Sequence, residues 1–269
     1  MLLPWLDLPG FADTLARWSA LTDLDLVELG TTAPADVVRR TEVAQPLLTA
    51  LALLSGRAEL AGGLPELVCG HSVGELSAAA LAGVLTDDEA VQLAAVRGRL
   101  MSQACETAPT GMAAVLGACP TEEQVREAGL EVATVNAPGQ VVVGGPLAAL
   151  EAFAPAGARV RRLDVAGAFH TVAMRPAVQG LADAVAALAP QDPRCPVVAN
   201  ADGVVVTAGR EVLERLVAQL TGPVRFDLCL AALPDLPVVE LAPAGTLTGL
   251  LKRARPDLTV TPLRMPVSA

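Results

Sequence analysis

Apolar residues recur at helical spacing from Val38 to Leu54, which predicts a buried helix there. Pro65 and Gly70 bound a short apolar run, Leu67 to Cys69, that is too brief for anything but a strand end. Ser77 to Val84 reads as helix, and Thr86-Asp87-Asp88-Glu89 has the form of a capping box, so the next helix is expected to run from about Asp87 to Cys105. Between Ala108 and Ala168 the pattern changes to short alternating units. Met112 to Leu116 reads as strand, Thr121 to Ala128 as helix, and Val132 to Val135 and Val141 to Val143 as strands around the Asn136-Ala137-Pro138-Gly139 turn. Pro146 to Phe153 follows as helix and Arg159 to Val165 as strand. Further on, Met174, Ala177, Val178, Leu181, Val185 and Leu188 form one stripe on a helix from about Thr171 to Leu188. Strands at Val197 to Ala199, Val204 to Thr207 and Val238 to Leu241, a helix from Glu211 to Leu220 and a last helix after Ala244 complete the series.

Strands that alternate with helices imply an α/β fold with a mostly parallel sheet. The middle segment has the order βαββαβ of a split βαβ, or ferredoxin-like, unit. The expected architecture is therefore a large α/β-hydrolase-like body, residues 1–106 and 169–269, carrying an inserted small ferredoxin-like subdomain, residues 107–168.

Composition narrows the function classes. A chain of 269 residues with 52% apolar content is long enough to bury a large core. Its mean hydropathy of +0.49 raises the question of a membrane span. The longest uncharged stretch, Val132 to Leu150, is broken by Asn136, Pro138, Gly139, Gln140, Gly144, Gly145 and Pro146, so no span and a cytoplasmic location are expected. The net charge of -10 argues against a nucleic-acid partner. Five scattered cysteines without a Cys-x-x-Cys pair, and only two histidines, argue against a disulfide framework and a zinc site.

Gly70-His71-Ser72-Val73-Gly74 stands between a strand end and a helix, the setting of a nucleophile elbow. There the serine sits at the apex of a tight turn, and the following N–H groups face a developing oxyanion. A serine nucleophile needs a base. His71 is its chain neighbour and diverges from it on a tight turn, which leaves His170, at the junction of the small unit with a helix. Arg97 lies within the apolar stripe Leu93, Val96, Leu100, Met101 and Ala104, whereas Arg99 points away. A buried arginine is costly unless a carboxylate answers it; the readings are a structural salt bridge to a buried Asp or Glu, a snorkelling side chain, or a carboxylate that belongs to a substrate.

Gly70-His71-Ser72-Val73-Gly74-Glu75, Arg97 and Gly167-Ala168-Phe169-His170 together resemble the malonyl-CoA:acyl carrier protein transacylases of fatty acid synthesis. So do Thr41-Glu42-Val43-Ala44-Gln45-Pro46, Pro109-Thr110-Gly111-Met112, Asn136-Ala137-Pro138-Gly139-Gln140, Gln219 ahead of Gly222-Pro223-Val224, and Pro243-Ala244-Gly245-Thr246-Leu247-Thr248-Gly249-Leu250. The resemblance implies a ping-pong reaction with malonyl-CoA as substrate, acyl carrier protein as partner and no cofactor. It assigns Ser72 as nucleophile, His170 as base, Val73 N–H as oxyanion donor and the Gln219 carbonyl as the group that orients the histidine. Arg97, Met101, Phe169 and Asn136 are the implied substrate contacts, with Arg97 on the malonyl carboxylate and the Phe169 ring disfavouring an α-methyl group. Arg159, Arg161 and Arg162, or Lys252, Arg253 and Arg255, are candidate docking patches for an acidic carrier protein.

The resemblance also implies an N-terminal strand and a Pro-Gly-Gln-Gly-Ser-like loop whose glutamine N–H is a second oxyanion donor. This chain starts at Met1-Leu2-Leu3-Pro4-Trp5, downstream of that loop. The expectation is either a start upstream of Met1 or impaired catalysis, with an unpaired place in the sheet. The competing readings are a serine thioesterase or esterase with water as acceptor, a non-catalytic relic that binds carrier protein, and a polyketide synthase acyltransferase module.

Overall fold

A computed structural model describes residues 1–266. Three helices precede the first predicted one: α1 (Phe11–Thr22), α2 (Leu26–Thr31) and α3 (Ala35–Val38). Phe11, Leu15, Trp18 and Thr22 form the buried face of α1, and Trp18 Nε1 donates to Asp88 Oδ1 at 2.7 Å. The long helix α4 (Thr41–Leu60) starts after Arg40, whose backbone is extended, and runs beyond the expected Leu54 because Ser55 and Gly56 are buried as well. Strand β1 (Val68–Cys69) leads through the elbow into α5 (Gly74–Leu81), and α6 (Asp87–Cys105) begins at the predicted capping box. In that box Thr86 Oγ1 accepts from Glu89 N at 3.2 Å and Glu89 Oε2 accepts from Thr86 N at 2.8 Å.

The alternating segment follows as β2 (Thr110–Gly117), α7 (Glu122–Glu127), β3 (Glu131–Ala137), β4 (Gln140–Pro146), α8 (Leu147–Ala152) and β5 (Ala158–Arg162). Strand β5 ends three residues short of the predicted Val165, and Asp164 and Val165 turn out of the ladder. After a 3-10 turn at Val172–Met174 come α9 (Arg175–Ala186), β6 (Val197–Val198), β7 (Val205–Val206), α10 (Gly209–Ala218), β8 (Val224–Arg225), α11 (Phe226–Ala232), β9 (Val238–Glu240), α12 (Thr246–Ala254) and β10 (Val260–Pro262).

The mixed α/β class is as expected, but among the described residues the body has no single continuous parallel sheet. Its strands form two groups, β1-β6-β7 and β10-β9. The pairs β1·β6 and β9·β10 are parallel, whereas β6·β7 is antiparallel. Strands of two or three residues form short ladders, so the helices α1, α4, α5, α6 and α9 supply most of the largest apolar cluster.

The second sheet has the order β5-β2-β4-β3-β8. Its first four strands pair antiparallel, and β8 joins β3 in parallel with Thr134 opposite Val224. That last pairing ties residues 224–225 to the alternating segment, and Arg225 N donates to Asn200 O at 2.6 Å. No helix among the described residues is long and apolar enough to cross a membrane.

Candidate active site

The elbow is built by backbone constraint. Ser72 has φ +54°, in the left-handed region that costs a non-glycine residue strain. Gly70 faces the start of α5 so closely that a Cβ there would lie 2.0 Å from Gly74 C and 2.4 Å from Glu75 N. At Gly74, by contrast, a Cβ would meet open space. The crowding of the turn therefore falls on the first glycine of the motif. Gly70→Ala must displace backbone, and we expect it to cost about 3 kcal/mol of stability, the upper part of the range for overpacking. Thermal unfolding measures this; an unchanged Tm contradicts it.

Asn200, just after β6, spans the turn. Its Oδ1 accepts from Ser72 N at 2.8 Å and its Nδ2 donates to Gly70 O at 2.6 Å. Val73 N–H, at the N-terminus of α5, has no acceptor among the described residues and is free to meet an oxyanion.

Ser72 Oγ lies 2.7 Å from His170 Nε2, and His170 Nδ1 lies 2.8 Å from Gln219 O. A backbone carbonyl only accepts, so the proton sits on Nδ1, and Nε2 presents a lone pair to the serine hydroxyl. His170 also has a left-handed backbone, φ +61°. Burial, and then the nearby Arg97 cation, lower its pKa to about 3, so the ring is neutral at physiological pH. In the unfolded chain the same ring titrates near 6.5.

Between those two values the unfolded state binds the extra proton, so His170 makes folding less favourable as pH falls. Glu75 acts in the opposite sense between 4.5 and about 7, because burial raises its pKa to about 7. Comparison with His170→Gln, which keeps Glu75, isolates the histidine. We expect wild type to lose stability relative to that variant progressively as pH falls from 6.5 toward 3. Parallel Tm-versus-pH curves for the two proteins contradict this.

Arg97 is 1% exposed on α6, and its neighbour Gly98 explains how it meets α4. A Cβ on Gly98 would lie 2.7 Å from Thr41 O and 2.9 Å from Glu42 Cα, so the glycine permits the close helix crossing. Across it, Arg97 Nη1 donates to Gln45 Oε1 at 2.6 Å, and Gln45 Nε2 donates back to Thr41 Oγ1 at 2.9 Å. Arg97 Nη2 donates to Gln219 Oε1 at 2.8 Å and reaches Ser72 Oγ at 3.4 Å. Both amide partners are neutral, and Nε has no partner among the described residues. Burial lowers the guanidinium pKa to about 10, opposed by Glu75, so it stays cationic at neutral pH.

A hollow of about 190 Å³ opens beside these groups, lined by Ser72, Val73, Arg97, Met101 and Phe169 together with Arg39, Thr41, Ala44, Gln45, Leu48, Val165 and Ala166. A larger hollow of about 600 Å³, beside α7 and α8, is lined mainly by alanine and proline with Phe153 and Cys119, and it contains none of these groups. The structure thus brings Ser72, Val73, Arg97, Met101 and Phe169 to one cavity, with His170 and Gln219 behind the serine.

Asn136 does not line this cavity. It is buried, and its Oδ1 lies 2.8 Å from His71 Nε2. His71 turns away from Ser72, with its ring edge-on to Phe226 at 4.9 Å. Three residues of the site carry no role in the sequence reading: Gln45, Asn200 and Glu75. The available signal is a polar side chain in an otherwise apolar run: Gln45 within the α4 stripe, Glu75 in the first turn of the alanine-rich helix α5, and Asn200 after Val197-Val198-Ala199.

A sequence family described as the acyl transferase domain matches residues 9–260. The chain belongs to the acyl transferase domain family. A malonyl CoA-acyl carrier protein transacylase of Mycobacterium tuberculosis is 50% identical over 266 residues, which cover 94% of this chain and 88% of the relative. A crystal structure of MCAT from Mycobacterium tuberculosis superposes with TM-score 0.92 at 48% identity, covering 98% of this chain and 92% of that one. A type II PKS acyl-carrier protein has been solved in complex with its malonyl-transacylase, which matches with TM-score 0.88 at 30% identity over 98% of this chain and 91% of that one. In this acyl transferase domain the serine, the histidine and the buried arginine therefore meet in a fold shared with malonyl-transferring relatives.

Proposed function

We propose that Ser72, His170 and Arg97 perform the malonyl transfer. The chain is an acyltransferase that moves malonyl from malonyl-CoA to an acyl carrier protein. The observation that carries the assignment of residues is the 2.7 Å contact of Ser72 Oγ with His170 Nε2 in a cavity that also holds a guanidinium with no carboxylate bonded to it among the described residues.

His170 Nε2 takes the Ser72 hydroxyl proton as Oγ attacks the thioester carbonyl. Val73 N–H faces the oxyanion, and collapse expels the coenzyme A thiolate, which takes the proton from His170. The pantetheine thiol of the carrier then gives its proton to Nε2 and attacks the malonyl-serine ester. The second tetrahedral intermediate releases Ser72, which recovers its proton from His170. The Gln219 carbonyl stabilises the imidazolium present between these transfers, so no carboxylate is needed as a third member. Arg97 binds the malonyl carboxylate through the positions facing the cavity.

About 190 Å³ is below the volume that holds a drug-sized ligand, so the acyl group enters the cavity and the pantetheine arm lies along its mouth. In this reading residues 107–168 form the small unit whose Met112, Ala133 and Val142 pack behind Phe169, and residues 1–106 with 169–269 carry the nucleophile and base. Arg159, Arg161 and Arg162 are exposed on β5, the strand that runs toward the mouth at Val165, and we place the carrier protein there. Arg255, in the other candidate patch, is held by Asp235 at 2.5 Å and Asp257 at 2.8 Å.

Transfer and hydrolysis are separated by adding labelled malonyl-CoA first and carrier protein second. The expected result is a labelled enzyme that persists until pantetheinylated carrier is added and then passes its label to the carrier. Loss of label to free malonate before the addition supports a thioesterase instead.

A further inference from the structure

Glu75 is 6% exposed and one turn below the nucleophile, and it touches neither Ser72 Oγ nor the cavity. Each of its oxygens has a distinct donor. Oε1 accepts from the backbone N of Asn200 at 2.6 Å, and Oε2 accepts from Gln219 Nε2 at 2.6 Å. The same Gln219 amide group also donates toward Asn200 Oδ1 at 3.1 Å and Ser72 O at 3.4 Å. The other end of that side chain, Oε1, accepts from Arg97 Nη2. One neutral amide thus lies between a carboxyl group whose two oxygens both accept here and a guanidinium that only donates.

The two ends of a glutamine amide are nearly identical in shape, so packing alone does not decide which way it points. With Nε2 toward Glu75 and Oε1 toward Arg97 both contacts are satisfied. With the amide reversed, carbonyl meets carboxylate and amine meets guanidinium, and both fail. We propose that Glu75 is a positioning residue that fixes the Gln219 amide with its carbonyl toward Arg97, and thereby holds the guanidinium in place for the carboxylate of the acyl group. The proposal rests on Arg97 binding that carboxylate.

Glu75→Gln tests it with almost no change of shape. The Asn200 N–H is a fixed backbone donor, so it takes the new carbonyl oxygen and leaves an amine facing Gln219. The Gln219 amide must then turn its carbonyl to residue 75 and its amine to Arg97. The expected result is a fall of about 10- to 100-fold in kcat/KM for malonyl transfer, the effect of one lost hydrogen bond to a charged group, carried mainly by KM. Transfer of acetyl, which has no carboxylate, should change by less than about threefold. Equal losses for both acyl groups, or no loss for either, overturn the proposal.

If Glu75→Gln does not fold, Gln219→Met carries the test. It removes the amide while keeping the backbone carbonyl that holds His170, and it should show the same malonyl-biased loss; an unbiased one counts against the proposal. Arg97→Ala measured alongside separates the two levels. If Arg97→Ala is malonyl-biased and Glu75→Gln is not, the positioning role fails alone. If Arg97→Ala is unbiased, the carboxylate-binding reading fails first.

Discussion

Arg97→Ala is expected to reduce kcat/KM for malonyl transfer by roughly 30- to 4,000-fold, equivalent to about 2–5 kcal/mol for removing one partner of a buried charge pair. Acetyl transfer by the same variant should stay within about tenfold of wild type. The difference arises because Arg97 is fully desolvated yet, among the described residues, bonded only to the neutral oxygens of Gln45, Gln219 and Ser72, with an unpaired Nε. A cation so placed gains most when a carboxylate enters the cavity. Arg97→Lys should recover little of the loss, since an ammonium cannot keep both the Gln45 and Gln219 contacts while meeting a carboxylate. Parallel rates with both acyl groups across the variants would remove Arg97 from the selectivity account.

Ser72→Ala and His170→Ala should each lower kcat by roughly 10⁴- to 10⁶-fold, and the double variant should be no worse than the more impaired single one. This non-additivity follows from a shared step: the serine is a poor nucleophile until Nε2 removes its proton, and without Ser72 no malonyl-serine ester forms for Nε2 to act on in the second half-reaction. The neutral state of His170 is secured by burial and by Arg97. The acid limb of the malonyl-transfer profile should therefore lie well below pH 6.5. Steady-state transfer to carrier protein measures both effects, and multiplicative losses in the double variant would show that the two residues act independently.

Much of this arrangement can be read from the sequence because its signals are local. The Thr86–Glu89 box fixes the start of α6, the Ala-rich run marks α5, although that helix lies at Gly74–Leu81, three residues ahead of the expected Ser77 to Val84, and a cation inside an apolar stripe marks Arg97 before any fold is known. The order of elements in residues 110–162 is similarly explicit in the alternation of short apolar runs. Long-range pairing is not local. Nothing around Val224 indicates that β8 adds to β3, and nothing around Val68 or Val238 indicates that the body's strands form two separate groups.

The helix α1 has a readable stripe in Phe11, Leu15 and Trp18, but the proline- and leucine-rich context around it obscures the period. Asn136 shows the limit of a motif: its expected place is the turn, but it lies within β3, which runs to Ala137, and its side chain faces His71 rather than the cavity. Gln45, Asn200 and Glu75 escape a sequence reading because their roles exist only through partners on other elements, and no spacing in the chain encodes those partners.

The most direct measurement is incubation of the purified protein with malonyl-CoA in the absence of carrier protein, followed by peptide mass spectrometry. One malonyl group is expected, attached to the peptide containing Ser72, absent in Ser72→Ala and discharged when pantetheinylated carrier protein is added. Acylation at another residue, or transfer to carrier protein that persists in Ser72→Ala, would contradict it.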